Sequence, residues 1–156
     1  MSLRRDYVQG VLGTYVRAWE TQDPDLITTI FTEDATYHER VLRDPIPDRE
    51  SIREYWKTKV VAAQANISCT VLAFYISGQT VTAEWEAWFD DLEKCERKHM
   101  KEVAILTFRG RLISSLREYW SSESLGALAD SPAEVLAEPA TAAGSPGARL
   151  LARAAD

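Results

Sequence analysis

The stretch from Phe31 to Trp56, FTEDATYHERVLRDPIPDRESIREYW, brings carboxylates, phenols, a histidine and several cations together where an apolar segment gives way to a proline-bearing loop. Carboxylates and phenols are the groups with acid–base capacity. A carboxyl in a dry pocket has its pKa raised towards neutrality, and a buried Tyr hydroxyl donates to charge developing on an oxygen. Glu39 is one such carboxylate, although Arg40 and Arg43 offer it an ordinary ion pair. Tyr15 sits among apolar residues at helical spacing, where an aromatic also serves as core. His38 draws attention as an acid or base, yet strand alternation sets it opposite Tyr37 and Glu39, away from any pocket they face. Further on, Glu102 shares a strand face with Ala104 and Leu106 and can reach a cavity mouth. Glu118 and Trp120 lie on one side of the last strand, with Arg117 and Tyr119 on the other. Glu84 and Glu86, at i, i+2 beside Trp88, read as a solvated or subunit-facing row. His99, among charged neighbours in a polar turn, reads as surface.

The strongest motifs are absent: no GxSxG, P-loop, Rossmann glycine set, HExxH or paired-cysteine metal site occurs. No metal and no cofactor are expected. Cys69 and Cys95 have neither ligand nor CxxC spacing and read as packing residues.

The elements that must position these groups follow from periodicity. Tyr7, Val8, Val11, Leu12, Tyr15, Val16 and Trp19 recur at i, i+3, i+4, which predicts a helix over about residues 4–20. Asp23 as cap and Pro24 at the first helical position open a second helix with Leu26, Ile27, Ile30 and Phe31 on its buried side. Residues 35–39 alternate as a short strand, and Pro45 and Pro47 keep the following loop extended. Asp48 caps a third helix, with Ile52, Tyr55, Trp56, Val60 and Ala63 on one face. SCTVLAFYI and TVTAEWEAWF, split by Ser77, Gly78 and Gln79, form a hairpin. After the charged turn DDLEKCERK, MKEVAILTF and LISSLREYWSS form another about Gly110. Four consecutive strands make an antiparallel meander.

With 156 residues and 46% hydrophobic content, one domain with a real core is expected. The boundary falls at residue 125. Residues 126–156, largely Ala, Pro and Gly towards the end, read as a mobile tail. A net charge of −6 disfavours nucleic acid as a partner. No apolar run reaches the roughly 18 residues of a membrane helix, and the first ten residues lack an apolar export signal. The cytoplasm is the expected compartment.

TYVRAWETQDPDLITTIFTEDATYHE, then RESIREYW, then TFRGRLISSLREYW, resemble the SnoaL-like branch of the nuclear transport factor 2 (NTF2-like) superfamily. The likeness spans about residues 5–122. This is the fold also used by ketosteroid isomerases, limonene epoxide hydrolase, scytalone dehydratase and polyketide cyclases. One departure is Asp48, where family members usually carry Gly before the Arg that starts the third helix. The resemblance implies an α+β cone: three N-terminal helices packed on the concave face of a strongly curved antiparallel sheet. Laid against the steroid isomerases, Glu39 falls where they hold a general base and Tyr15 where they hold an oxyanion-binding phenol. Their third group, a protonated acid, would lie at Ala104, which cannot donate, so steroid isomerisation as such is disfavoured. Trp19, Tyr37, Tyr55, Trp56, Trp85, Glu102, Ala104, Glu118 and Trp120 are expected to line the pocket. The expected ligand is a small apolar or aromatic molecule, and the expected activity a cofactor-independent isomerase, cyclase, dehydratase or epoxide hydrolase type. A non-catalytic binding or dimerisation module is the alternative. A homodimer through the convex sheet face is expected, because strands such as SCTVLAFYI carry apolar residues on both faces.

Overall fold

The computed structural model describes residues 2–129. Helix α1 (Arg5–Glu20) buries Val8, Val11, Leu12, Tyr15, Ala18 and Trp19, the stripe its periodicity requires. Helix α2 (Pro24–Thr28) is capped by Asp23, whose carboxylate accepts from the amides of Asp25 and Leu26. This helix is shorter than its apolar spacing predicts. The hydroxyls of Thr28 and Thr29 bond back to the carbonyls of Asp25 and Leu26, and the Ile30 carbonyl accepts from the Ile113 amide at 2.8 Å. The sheet thereby claims Ile30 and Phe31, and strand β1 (Phe31–His38) begins four residues earlier than its alternation suggests.

Helix α3 (Arg49–Tyr55) starts at Asp48, which accepts from the Ser51 amide at 2.7 Å. From Trp56 to Val61 the helix widens into a π-helical turn, which a regular 3.6-residue pattern does not foresee. Trp56 and Val60 remain buried.

The meander forms as β2 (Gln64–Ser77), β3 (Thr80–Asp91), β4 (Glu96–Arg109) and β5 (Leu112–Ala127). Gly78 and Gly110 adopt positive φ of 60° and 63° at its two tight turns, conformations that glycine takes without penalty. The sheet order is β1-β5-β4-β3-β2, with β1 parallel to β5 and every other pair antiparallel. The turn expected over DDLEKCERK is only Leu92–Cys95, since both flanking strands continue through charged residues whose backbones pair. At its far end β5 likewise runs two residues past 125, with Gly126 and Ala127 opposite Arg97 and Glu96. The rest of the expected tail from residue 130 lies outside the described residues.

One register detail matters. Thr107 pairs with Ser115 but Phe108 pairs with Ile113, so Ser114 is an extra residue in β5, a β-bulge. Its hydroxyl donates to the Thr107 carbonyl at 3.1 Å. Beyond the bulge the inward positions of β5 become Leu116, Glu118 and Trp120, level with Leu106, Ala104 and Glu102 of β4. Among the described residues no helix is long and apolar enough to cross a membrane.

Candidate functional site

Five elements converge on one cavity of about 390 Å³. Helix α1 supplies Tyr15 and Trp19, β1 supplies Tyr37, α3 and the π-turn supply Tyr55 and Trp56, and β4 and β5 supply Glu102 and Glu118. Glu39, just beyond β1, and Trp120 stand at the same cavity. Trp85 and Ala104, expected as lining, do not reach it. Both are wholly buried behind the wall, where Trp85 stacks on the Tyr15 ring at 4.8 Å between centroids. Trp56 meets Tyr15 edge-on at 5.7 Å, and Tyr37 meets Tyr55 at 5.7 Å.

Among the described residues Glu102 and Glu118 are the two buried glutamates, 4% and 5% exposed. Because Ala104 lies opposite Glu118 and Trp120 opposite Glu102, the two carboxyls are diagonal neighbours on one face. The Tyr15 hydroxyl donates to Glu118 Oε1 at 2.8 Å and the Tyr37 hydroxyl donates to the same oxygen at 2.5 Å. The two hydroxyl oxygens are 2.9 Å apart. Ala104, too small to fill the space facing Glu118, leaves room for this group.

Burial pushes the Glu118 carboxyl up to about 7, against the opposing pull of the two phenols, with the charge of Glu39 adding to the rise. Glu102 is raised well above the usual carboxylate range, first by burial and then by the charge of Glu118. Tyr15, Tyr37 and Tyr55 are likewise raised, by burial and then by Glu118, so all three phenols are protonated donors. Glu102 Oε1 and the indole nitrogens of Trp56 and Trp85 are buried without a hydrogen-bond partner among the described residues. Buried polar atoms left unpaired are costly, and those of Glu102 and Trp56 lie on residues that line the cavity.

Glu39 is placed differently from the buried pair. Its carboxylate meets Arg40 Nε at 3.2 Å, and its carbonyl accepts from the Trp120 indole at 3.0 Å. It therefore stands at the mouth, near enough to act on the buried carboxyls through its charge. Tyr15, its expected companion, points its hydroxyl at Glu118. His38 is opposite Arg117 on the outer sheet face, away from the cavity.

His99 is a correction: it belongs to β4 and not to a turn. Its ring stacks on Trp88 at 5.0 Å, Nε2 meets Glu86 at 2.7 Å and Nδ1 meets Glu123 at 3.0 Å. These carboxylates raise its pKa. Glu84 on the same outer face is exposed, as its i, i+2 row suggests.

Among the described residues no group of three or more His, Cys, Asp and Glu is placed to hold a metal ion. Sequence reasoning named Glu102 and Glu118 separately as cavity residues but not as a pair, because the pairing depends on the Ser114 bulge.

A family model described as a SnoaL-like domain matches residues 12–116. No curated protein matches in sequence. Among solved structures, the chain is similar to a protein of ketosteroid isomerase-like fold from Catenulispora acidiphila in complex with trimethylamine: 24% identity over 76% of this chain and 88% of that one, TM-score 0.63. It is also similar to SalBIII, an epoxide hydrolase/cyclase-like enzyme in pyran ring formation in the polyether salinomycin, at 24% identity over 72% and 89% of the two chains, TM-score 0.63. An LEH-like epoxide hydrolase from M. tuberculosis matches at 12% identity over 74% and 84%, TM-score 0.62. At these identities the likeness shows the fold, an NTF2-like α+β architecture with an open sheet.

Proposed function

The chain belongs to the SnoaL-like domain family, and from that premise we propose that it is an acid–base enzyme that opens a strained ring ether, an epoxide, on a small apolar substrate. The observation that carries this reading is the contact pair of buried carboxyls with unequal partners. Glu118, held by two phenol donors and balanced near neutrality, is the base. Glu102, whose pKa is raised by burial and by the charge of Glu118, holds the proton and is the acid. Glu118 takes the proton of a water or of the substrate's own hydroxyl as that oxygen bonds to the epoxide carbon. The carbon–oxygen bond breaks, and Glu102 gives its proton to the departing oxygen. Because the two carboxyls adjoin, the proton gained by Glu118 returns to Glu102 and the pair is reset. Attack by water gives a diol, and attack by an internal hydroxyl gives a ring. Tyr15 and Tyr37 position Glu118, the Trp56 indole NH donates to a substrate oxygen, and Glu39 at the mouth adjusts the pair through its charge.

Apolar epoxides such as styrene oxide and limonene oxide, with diol formation followed by chromatography, test this directly. Glu118→Gln and Glu102→Gln should each abolish turnover, while Glu39→Gln should leave most of it. Unchanged turnover in Glu118→Gln would remove the assignment. Loss of all turnover in Glu39→Gln alone would return the base to Glu39, where the family register sets it.

The aromatic walls around two carboxylates support a second, non-catalytic reading: a binding site for a small alkylammonium, whose charge suits both indole and phenol faces. The trimethylamine held by the Catenulispora protein is consistent with it. Quenching of tryptophan fluorescence by trimethylammonium, with no epoxide turnover, would favour this alternative. In both readings a second copy covers the outer sheet face, where Tyr75, Val103 and Tyr119 are exposed. A dimeric mass in sedimentation is expected.

A further inference from the structure

The cavity has opposite electrostatic ends. Two buried carboxyls close its inner end. At its mouth stand five cations, Arg40, Arg43, Lys59, Lys94 and Lys98, against the carboxylates of Glu39, Asp91 and Glu93. The chain as a whole carries −6, so a rim dominated by cations runs against its composition. Three of the cations have carboxylate partners: Arg40 with Glu39 at 3.2 Å, Lys59 with Glu93 at 3.1 Å and Lys98 with Glu96 at 2.5 Å. Arg43 and Lys94 form no side-chain ion pair or hydrogen bond with a described residue, and of the two Arg43 alone also lines a recess outside the cavity.

Arg43 occupies a defined place. Its loop leaves the sheet at His38 and is fastened at the base by reciprocal backbone hydrogen bonds of 2.9 Å between Tyr37 and Ile46. Leu42 beside it is 96% exposed. Arg43 lines both the deep cavity and an outer recess of about 650 Å³, which also takes in Val41, Leu42, Val103 and Tyr119. A guanidinium without a side-chain partner among the described residues is therefore held where the cavity meets the outer recess. Its planar fork matches a carboxylate with two parallel hydrogen bonds.

Resting on the acid–base reading of the inner end, we propose that the ligand is an apolar molecule with a carboxylate at one end. Arg43 binds that carboxylate at the mouth, and the uncharged reacting end lies between Glu102 and Glu118. The orientation follows from Coulomb's law. An anion beside Glu118 would face like charge in a medium where such charges repel strongly, whereas at the rim it meets Arg43, with Arg40 and Lys94 lining the same cavity. The cavity thus sorts the two ends of its ligand before any chemistry occurs.

The test uses three probes on one apolar frame, 6-phenylhexanoate, its methyl ester and 6-phenylhexylamine, titrated into the full chain by calorimetry in low and high salt. The acid should bind about tenfold more tightly than the ester at low salt, with the gap narrowing at high salt. Arg43→Ala should bring acid and ester within about twofold of each other, and Arg43→Lys should restore part of the gap. The position is an exposed loop, and circular dichroism of each variant checks the fold. Equal affinities for acid and ester, a gap that survives Arg43→Ala, or tightest binding of the amine would each overturn the proposal. Epoxide turnover by the wild-type chain, measured beside these titrations, keeps the two readings apart. An acid preference in a wild type without any turnover leaves this inference standing and removes the reaction, while wild-type turnover without an acid preference does the reverse.

Discussion

The central sheet carries a titratable cluster on each face, and the two differ in almost every physical respect. On the inner face Glu102 and Glu118 are buried, share one cavity with three tyrosines and have their pKa values raised by desolvation. On the outer face His99 lies between Glu86 and Glu123 over the Trp88 ring, and its shift comes from hydrogen bonds to those carboxylates. The outer cluster is an arrangement of satisfied charges. The inner one keeps a proton where water would ordinarily remove it, and it leaves one carboxyl oxygen without a partner among the described residues. Groups of similar type on the same strands thus become a buried pair with raised pKa values or a surface ion network according to the side they face.

The largest contrast should appear in turnover. On whichever epoxide the wild type converts, Glu118→Gln should lower the rate by about 10²–10⁴-fold, the usual range for loss of a general base. Glu86→Gln on the outer face should leave it within about twofold of wild type; a large loss there would break the comparison.

Packing should separate the faces next. Trp85 is wholly buried, and Trp85→Ala should cost about 3–5 kcal/mol in urea unfolding. Trp88→Ala, which uncovers only the stack on His99, should cost about 1 kcal/mol.

The pH dependence of stability sharpens the contrast further. Glu118 has its folded pKa raised from 4.5 to about 7, so the native state holds a proton that the unfolded chain has already released. The contribution of Glu118 is therefore complete below pH 4.5 and is lost as pH rises from there to about 7, and Glu102, whose pKa is also raised, adds a slope of the same sign. Glu118→Gln should make this slope shallower by roughly 1–3 kcal/mol between pH 4.5 and pH 8, leaving the part that Glu102 contributes, read from denaturation midpoints across that range. A variant with the same slope as wild type would place the buried proton elsewhere.

The smallest effect belongs to His99. Its folded pKa is raised from 6.5, so its contribution is complete below pH 6.5 and disappears as pH rises through the raised value. His99→Gln should flatten stability only above pH 6.5, a window that opens where that of Glu118 is nearly complete, and by less than any change above.

Much of the fold is legible in the sequence because its signals are local. The α1 stripe, the Asp23 and Asp48 caps and the turns at Gly78 and Gly110 are each written in a few adjacent residues, and the structure realises all of them. The start of β1 at Phe31 is not, because Phe31 continues the spacing of α2 and only the long-range bond from Ile113 to Ile30 decides its fate. The site divides in the same way. Tyr15, Tyr37, Tyr55 and Trp56 lie on apolar faces that periodicity identifies. The partnership of Glu102 with Glu118 requires the register of a long hairpin, and counting back from Gly110 without the Ser114 bulge would pair Glu118 with Val103 and turn it outward. Glu39 is singled out by strand alternation and by the family resemblance, whereas Glu118 sits in a strand of ordinary appearance.

That bulge and the π-turn at Trp56–Val61 have a shared consequence. Each is a single-residue excess in an otherwise regular element, and one flanks each wall of the cavity. Chain length, as much as residue identity, therefore carries the information for the site. Removing Ser114 would delete no acidic residue and yet exchange the cavity-facing and outward faces of β5. Comparison of relatives at this fold should accordingly count insertions before it counts substitutions.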